Sequence, residues 1–374
     1  MKDFPLIRSQ RAAIIGTLLI AAPMLLLSLS PLTGVYTALL SLFLLPTALC
    51  LLGLTGGLIP MLVSALLSLC GLYRFAGQAG ALLGAVYLLP VMAVFLFVVA
   101  RRVLFWHACA GMIGAHVAAL AAAYLILQSL AGGDLYTAAG AWAAAAVEKW
   151  AMCDQLLFQL YDMGAITLPE TLRDSMLSPT LGGYTLSAAA RADLLLSVRS
   201  LVSSSLASLT PSLIIRQSIL GGVGCLLLPL RFGAIAAQRR AFRSEKPADA
   251  ERQLQSKPDF PDLNMPPLSM WFVPRGYGWQ LGLMLVAGYV LGGSAVSGAA
   301  IAGRILYAAA NAVFTIQGLA VINFMQKARG VKLARRVIVP APLLLFSILP
   351  FLGIFDQVAN IRGLRKPKEP KEDS

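Results

Sequence analysis

Charge is scarce in this chain. Lys, Arg, Asp and Glu make up 13% of its 374 residues, about half of the roughly 25% a soluble domain carries. Alternating apolar and polar stretches are almost absent, which argues against barrel strands. There is no CxxC pair, no GxSxG, no HExxH and no P-loop. The chain therefore carries no catalytic signature and no means of hydrolysing ATP by itself. Histidine occurs twice. His107 and His116 lie nine positions apart in one apolar run, on opposite faces of a helix, so they cannot meet at one metal ion. Each reads as a packed or interfacial histidine. Of the five cysteines, Cys50, Cys70, Cys109, Cys153 and Cys225, four lie in apolar runs and read as small buried residues. No metal site, disulfide framework or cofactor is indicated.

What is abundant is hydrophobic length. Apolar residues reach 58%, with a mean hydropathy of +0.76, and they gather in runs of ~18 residues or more. These features predict an all-α fold, a polytopic transmembrane bundle. Net charge is +13. The basic residues sit in short links beside apolar runs, where they set topology and meet anionic lipid; no aromatic-basic patch indicates nucleic acid.

Spans are expected at about Ala12–Leu29, Val35–Leu52, Leu58–Tyr73, Ala79–Ala100, Val103–Leu130, Leu194–Leu230, Gly278–Val296, Ala299–Phe324 and Val337–Phe355. Lys2, Arg8 and Arg11 before the first span, and Arg101 and Arg102 after the fourth, place the N-terminus in the cytoplasm. The second and third spans are short, with Gly53, Gly56 and Gly57 between them, and form a tilted or re-entrant hairpin. Nine crossings would put the basic tail IRGLRKPKEPKEDS outside, against the positive-inside rule, so the expectation is eight or nine. The sixth run is longer than one crossing needs; its crossing proper is Leu209–Leu230, and the serine-rich first part stands outside. The domains follow: 1–130 an N-terminal bundle, 131–193 an extracytoplasmic segment, 194–230 a span, 231–275 a basic cytoplasmic loop, 276–356 the C-terminal spans and 357–374 a basic disordered tail.

Segment 131–193 is net acidic. Within it, Ala146, Trp150, Cys153, Leu157 and Leu160 share one helical face, with Glu148, Gln155, Gln159 and Asp162 opposite. This predicts an amphipathic helix over 146–162, lying at the membrane surface or capping the bundle mouth. The TLGGY run that follows reads as a turn before a second helix.

The run around Ala299–Phe324 is the strongly apolar segment that combines Arg, Asn and Gln. Arg304, Tyr307, Asn311 and Thr315 fall on one narrow stripe and are candidate solute-binding residues, since polar groups at bilayer depth face protein or water. Gln317 and Asn323 lie off this stripe. The plainer reading is that Arg304 snorkels and Asn311 bonds across helices. Asp356, at the end of the last run, either pairs with Arg362 or another base or is a helix-end charge. Small residues repeat at packing spacing: Ala13, Thr17 and Ala21 in the first span, Gly80 with Gly84, and Gly288 with Gly292. The first set is a candidate partner-docking face.

The C-terminal half also carries PSLIIRQSILGGVGCLLLPLR, SMWFVPRG with Trp271 and Pro274, NAVFTIQGLAVINFMQKARG and LPFLGIFDQVANIR. On these motifs the chain resembles the YybS-like (DUF2232) family of bacterial multi-pass membrane proteins, whose function is unknown. The resemblance implies a bacterial inner-membrane location and supplies no catalytic residue. Its N-terminal half is distantly similar to the substrate-binding subunits of energy-coupling-factor vitamin transporters. Such subunits dock through small residues of the first helix on a membrane coupling subunit that works with an ATPase. Two functions are consistent with this. One is a substrate-binding or permease-like subunit for a small solute, dependent on partners and not itself an enzyme. The other is a non-transport envelope scaffold, docking through the acidic outer segment and the basic inner loop.

Overall fold

The computed structural model describes residues 14–20, 45–173, 177–180, 183–243, 266–331 and 348–364. Among them are eleven helices: α1 (residues 14–20), α2 (Leu45–Gly56), α3 (Leu58–Ala100), α4 (Phe105–Leu130), α5 (Leu135–Glu148), α6 (Cys153–Asp162), α7 (Glu170–Arg173), α8 (Ala188–Arg243), α9 (Arg275–Gly292), α10 (Ser297–Ala328) and α11 (Ile348–Ala359). Among the described residues the regular structure is helical apart from one antiparallel hairpin, β1 (Leu177–Thr180) with β2 (Gly183–Leu186), which pairs Leu177 with Leu186. It forms two compact units. One comprises residues 1–123 with 212–374, the other Tyr124–Pro211.

In the larger unit, α3 has 43 residues. A straight helix of that length would run ~65 Å, about twice the hydrocarbon thickness of a bilayer. It is not straight. Ala76 and Gly77 leave helical geometry, and Gly77 takes φ +64°, a region glycine enters without Cβ strain. The chain then folds back on itself. A methyl on Gly84 would overlap Leu72, twelve residues earlier, although twelve residues of straight helix span ~18 Å. Gly80 and Gly84 therefore let the limb 78–100 lie against the limb 58–75. Met61, Ala65, Tyr87, Leu88 and Met92 fill the seam, together with Leu45, Leu49 and Leu52 of α2 and Ala119 of α4. Gly57, at φ 100°, makes the preceding reversal between α2 and α3.

A second core joins Cys50, Leu54, Val91, Phe95, Phe105, Met112, Cys225, Leu226, Trp271 and Ala320, so α2, α3, α4, α8 and α10 share it. At the C-terminal side, α10 packs on both α9 and α11 through glycine. Gly288 of α9 faces the Tyr307 amide nitrogen, 2.6 Å from where its Cβ would be. Methyls on Gly318 and Gly353 would overlap the carbonyls of Leu349 and Phe314 respectively. Close backbone approach through small residues is the usual way apolar helices associate where lipid removes the hydrophobic drive.

The smaller unit has its own core of Cys153, Leu157, Ile166, Leu168, Leu186, Ala190, Leu194 and Val198. The Asp134 carboxylate caps α5 by accepting from the Thr137 amide at 3.0 Å. Gly140 lets α5 approach the Arg199 carbonyl of α8. Asp154 accepts from Arg191 at 2.7 Å and from the Leu186 amide at 3.3 Å.

Several expectations need revision. Four helices among the described residues are long and apolar enough to cross a membrane: α3, α4, residues 188–233 of α8, and α10. These four account for part of the eight or nine crossings expected. The bend in α3 places two expected spans in one helix. The first, second and ninth expected spans lie largely outside the described residues, and α9 begins with a polar turn containing Arg275 and Gln280. The amphipathic helix 146–162 is interrupted. α5 ends at Glu148 and α6 begins at Cys153, so Trp150 sits in the break and is 52% exposed. Cys153 and Leu157 face their own unit's core. The TLGGY stretch joins β1 to β2 ahead of α8, in keeping with the expected reversal before a helix, with Leu181 and Gly182 outside the described residues.

Candidate functional site

Two buried polar centres lie in the larger unit, and both differ from the stripe the sequence suggested. The first is built on the α10–α11 contact. Because Gly318 and Gly353 bring these backbones together, Gln317 and Asp356 face each other. Gln317 Nε2 donates to Asp356 Oδ2 at 2.9 Å and to Gln357 Oε1 at 3.1 Å. The chain leaves α11 through Asn360, at φ 48°, and this turn returns Arg362 to the Asp356 carboxylate. Arg362 Nη2 donates to Oδ2 at 2.7 Å, and Nε reaches both oxygens at 3.2 Å. The remaining donors go to the Ser269 carbonyl at 2.8 Å and the Trp271 carbonyl at 2.6 Å. Both charged side chains are buried, at 1% and 5% exposed.

This pair thereby fastens the segment before α9. Trp271 donates its indole N–H to the Pro266 carbonyl, which also accepts from Arg231 of α8, both at 2.9 Å. Its ring packs on Phe105 and Trp106. Gln357 Nε2 reaches the Val273 carbonyl at 3.3 Å. Asp356 is thus paired with Arg362 and is not a solvent-facing helix-end charge. Stripping two charges of water is costly unless each finds partners, and here nearly every valence of both is used. What remains is Gln317 Oε1, buried with no hydrogen-bond partner among the described residues.

The second centre lies where α2, α3, α4 and α8 meet. His116 is fully buried, and its Nδ1 lies 2.9 Å from the Met112 carbonyl. A carbonyl can only accept, so the ring proton sits on Nδ1 and Nε2 presents a lone pair. That lone pair faces Cys225 Sγ at 3.7 Å. Thr47 Oγ1 lies 3.3 Å from the same sulfur. Tyr87 meets the imidazole edge-on, with ring centroids 5.9 Å apart. Beside them, Gly221 packs its backbone closely on the centre: an added methyl would lie 3.2 Å from His116 Cδ2 and 3.3 Å from Gln217 Nε2, tighter than ordinary contact. The Tyr87 hydroxyl interacts with the Gln217 amide; apart from that contact neither Oε1 nor Nε2 of Gln217 has a hydrogen-bond partner among the described residues, and both atoms are buried. An unsatisfied amide group in an apolar surround costs about 1–3 kcal/mol.

The expected stripe on α10 does not converge in this way. Arg304 and Asn311 are half-buried, Tyr307 is 41% exposed, and Thr315 is buried. The Thr315 hydroxyl donates to the Asn311 carbonyl of its own helix at 2.8 Å. The Arg304 stem passes Gly292 of α9, with Cγ 3.8 Å from where a methyl there would be. Of the first-span set, Thr17 is half-buried, while Ala13 and Ala21 lie outside the described residues. Its neighbour Gly16 abuts Leu52 of α2.

The sequence reading passed over Gln217 and left Gln317 aside as off the stripe. The available signal was the amide itself: a glutamine inside IIRQSIL and another inside FTIQGLA are polar groups at bilayer depth. Cys50, Cys109, Cys153, Cys225 and His116 are buried, with His116 and Cys225 against each other, whereas Cys70 is exposed, contrary to expectation. Among the described residues no cluster of three or more His, Cys, Asp or Glu side chains could hold a metal ion.

Residues 252–357 match the model of a family described as a predicted membrane protein (DUF2232). No curated protein and no solved structure matches the chain. The matched stretch contains Gln317, Asp356, Gln357 and the Trp271 segment, hence most of the first polar centre. With its four long apolar helices and this match, the chain is an integral membrane protein, similar over residues 252–357 to the DUF2232 family.

Proposed function

We propose that this protein is a substrate-binding or permease-like subunit for a small solute, and that the solute meets it at the His116–Gln217 centre. The observation that carries this is the Gln217 amide, its polar atoms buried near an imidazole lone pair with no hydrogen-bond partner among the described residues beyond the Tyr87 contact. Polar groups within a membrane bundle are costly and mark solute paths more often than they stabilise, and an unsatisfied valence is the part of such a site that a ligand completes. The Asp356–Arg362 centre plays the architectural part, holding the α9–α11 region in one arrangement. The protein hydrolyses nothing itself and depends on a membrane coupling partner with an ATPase, in the bacterial inner membrane. The analogy behind this reading is the distant resemblance of the sequence to vitamin-transporter substrate subunits.

Native mass spectrometry of the full chain in mild detergent tests it. A stoichiometric small molecule or ion that is lost in Gln217→Leu, at unchanged membrane abundance, is the expected result. A bare protein whose function tolerates Gln217→Leu would favour the second reading, an envelope scaffold. That reading draws on the smaller unit, which has its own core and exposes Trp142, Trp150 and Met163. There, sensitivity would concentrate in Tyr124–Pro211.

A further inference from the structure

We infer that His116 and Cys225 form a two-coordinate site for a soft monovalent d10 cation, of which Cu(I) is the biological example. The inference deepens the reading above by naming the class of solute, and it rests on that reading for its physiological meaning.

The argument begins with the tautomer. A metal-binding histidine usually donates its distal N–H to a carbonyl or carboxylate, which fixes the ring and leaves the other nitrogen free to coordinate. His116 has this arrangement, with Nδ1–H on the Met112 carbonyl of its own helix. The free nitrogen, Nε2, faces a thiol across 3.7 Å. A linear N–metal–S unit needs ~4.3 Å if zinc-like bond lengths of ~2.0 and ~2.3 Å apply. The pair must therefore open by ~0.6 Å. The α8 face is close-packed on the imidazole at Gly221, where a methyl would lie 3.2 Å from Cδ2, so the opening has to come from the His116 and Cys225 side chains themselves.

Chemistry selects the ion. Zinc demands four ligands in tetrahedral array, and no set of three His, Cys, Asp or Glu occurs among the described residues. Calcium and magnesium require oxygen ligands, six or so. Thiolate and imidazole in a pair suit a soft cation content with two ligands. The surround agrees. Cys225 is 1% exposed and sits in a core with Cys50, Val91, Met112 and Leu226, a shell that excludes competing water. The charge balances as well: the Cys225 S–H bond breaks as the S–metal bond forms and one proton leaves, so a thiolate and a monovalent cation are neutral together. No electron is transferred. The Thr47 hydroxyl, 3.3 Å from the sulfur, can then donate to the thiolate.

The test uses the purified full-length protein in mild detergent under anaerobic, reducing conditions. Cu(I) is titrated against bathocuproine disulfonate, and Ag(I), which needs no reductant, is followed by native mass spectrometry. One ion per chain withheld from the chelator is expected. His116→Asn and Cys225→Ser should each weaken retention by ~100-fold or more, the upper end of what loss of even an outer partner costs. Cys70→Ser should leave it unchanged. The His116→Asn protein keeps all five thiols, so its loss of binding cannot be a matter of thiol count. Should Cys225→Ser not accumulate, X-ray absorption of the Cu(I)-loaded wild type decides: one nitrogen and one sulfur neighbour support the site, and sulfur alone overturns it. Retention unchanged in His116→Asn overturns it too. If no ion binds but an organic molecule co-purifies and is lost in Gln217→Leu, the cation class is wrong and the solute-binding reading stands. If neither ion nor organic molecule is held, both fail.

Discussion

The two buried polar centres solve the same physical problem in opposite ways. Around Asp356 and Arg362 the charges are neutralised by each other, and the spare donors end on the Ser269 and Trp271 carbonyls. Around His116 the groups are neutral, and Gln217 has no hydrogen-bond partner among the described residues beyond its Tyr87 contact. The first arrangement is costly to disturb and offers a ligand little. The second costs stability as it stands and gains from being completed. Burial of polar groups alone therefore does not identify a functional site in a membrane bundle; the count of unspent hydrogen-bond valences separates a fastening from a receptor.

That contrast breaks first at Arg362. In Arg362→Met the Asp356 carboxylate stays buried without its counter-charge, a defect that costs about 3–5 kcal/mol. Thermal unfolding in detergent should show a large loss. The double variant Arg362→Met with Asp356→Leu should recover most of it, because an apolar pair of similar volume is close to neutral. A single variant as stable as the parent would remove the distinction between the centres.

The glycine contact beneath that pair gives the next effect. Gly353→Ala drives a methyl into the Phe314 carbonyl, and the helices must separate, at about 1–3 kcal/mol. Cross-linking between α10 and α11 should weaken in parallel with thermal stability.

Gln217→Leu should move the other way. Removing the under-satisfied amide leaves stability unchanged or raises it by up to about 1–3 kcal/mol, while retention of the solute falls. A variant that loses stability without affecting retention would make Gln217 a structural residue and merge the two classes.

The smallest effect lies in the smaller unit. Asp134 is held below its ordinary value of 3.8, chiefly by its hydrogen bonding with Thr137. A lowered folded-state value means that its contribution is complete above the ordinary carboxylate range and disappears as pH falls through the folded value. Amide exchange in the first turn of α5 should accelerate below about pH 4. In Asp134→Ala it should be fast at every pH.

The helical, membrane-spanning character was legible because it depends on hydropathy summed over long windows, where local errors cancel. The positions of α3, α4 and α10 followed from it. Neither polar centre was legible, for a common reason. Gln317 meets Asp356 across 39 residues and His116 meets Cys225 across 109, so these contacts exist through packing, not spacing. The stripe of Arg304, Tyr307, Asn311 and Thr315 illustrates the opposite error. Helical periodicity placed the four on one face, but it could not show that Thr315 would bond its own helix or that α9 would lie against Gly303. Arg362 was considered as a partner for Asp356, yet the turn at Asn360 that delivers it leaves no mark in composition. The break at 149–152 was hidden because its residues continue the apolar pattern of the helices on either side.

The bend at Ala76–Gly77 also bears on how the protein is made. Its two limbs touch within a dozen residues of each other in sequence, so their pairing closes a very short loop, and the entropy of closure grows with loop length. The pair can consequently assemble as a hairpin while the ribosome is still synthesising α4, before the distant Cys225 and Arg362 exist to complete either polar centre. Gly77 is then a residue of biogenesis. A bulky β-branched replacement there would resist φ +64° and favour one continuous helix in place of the hairpin.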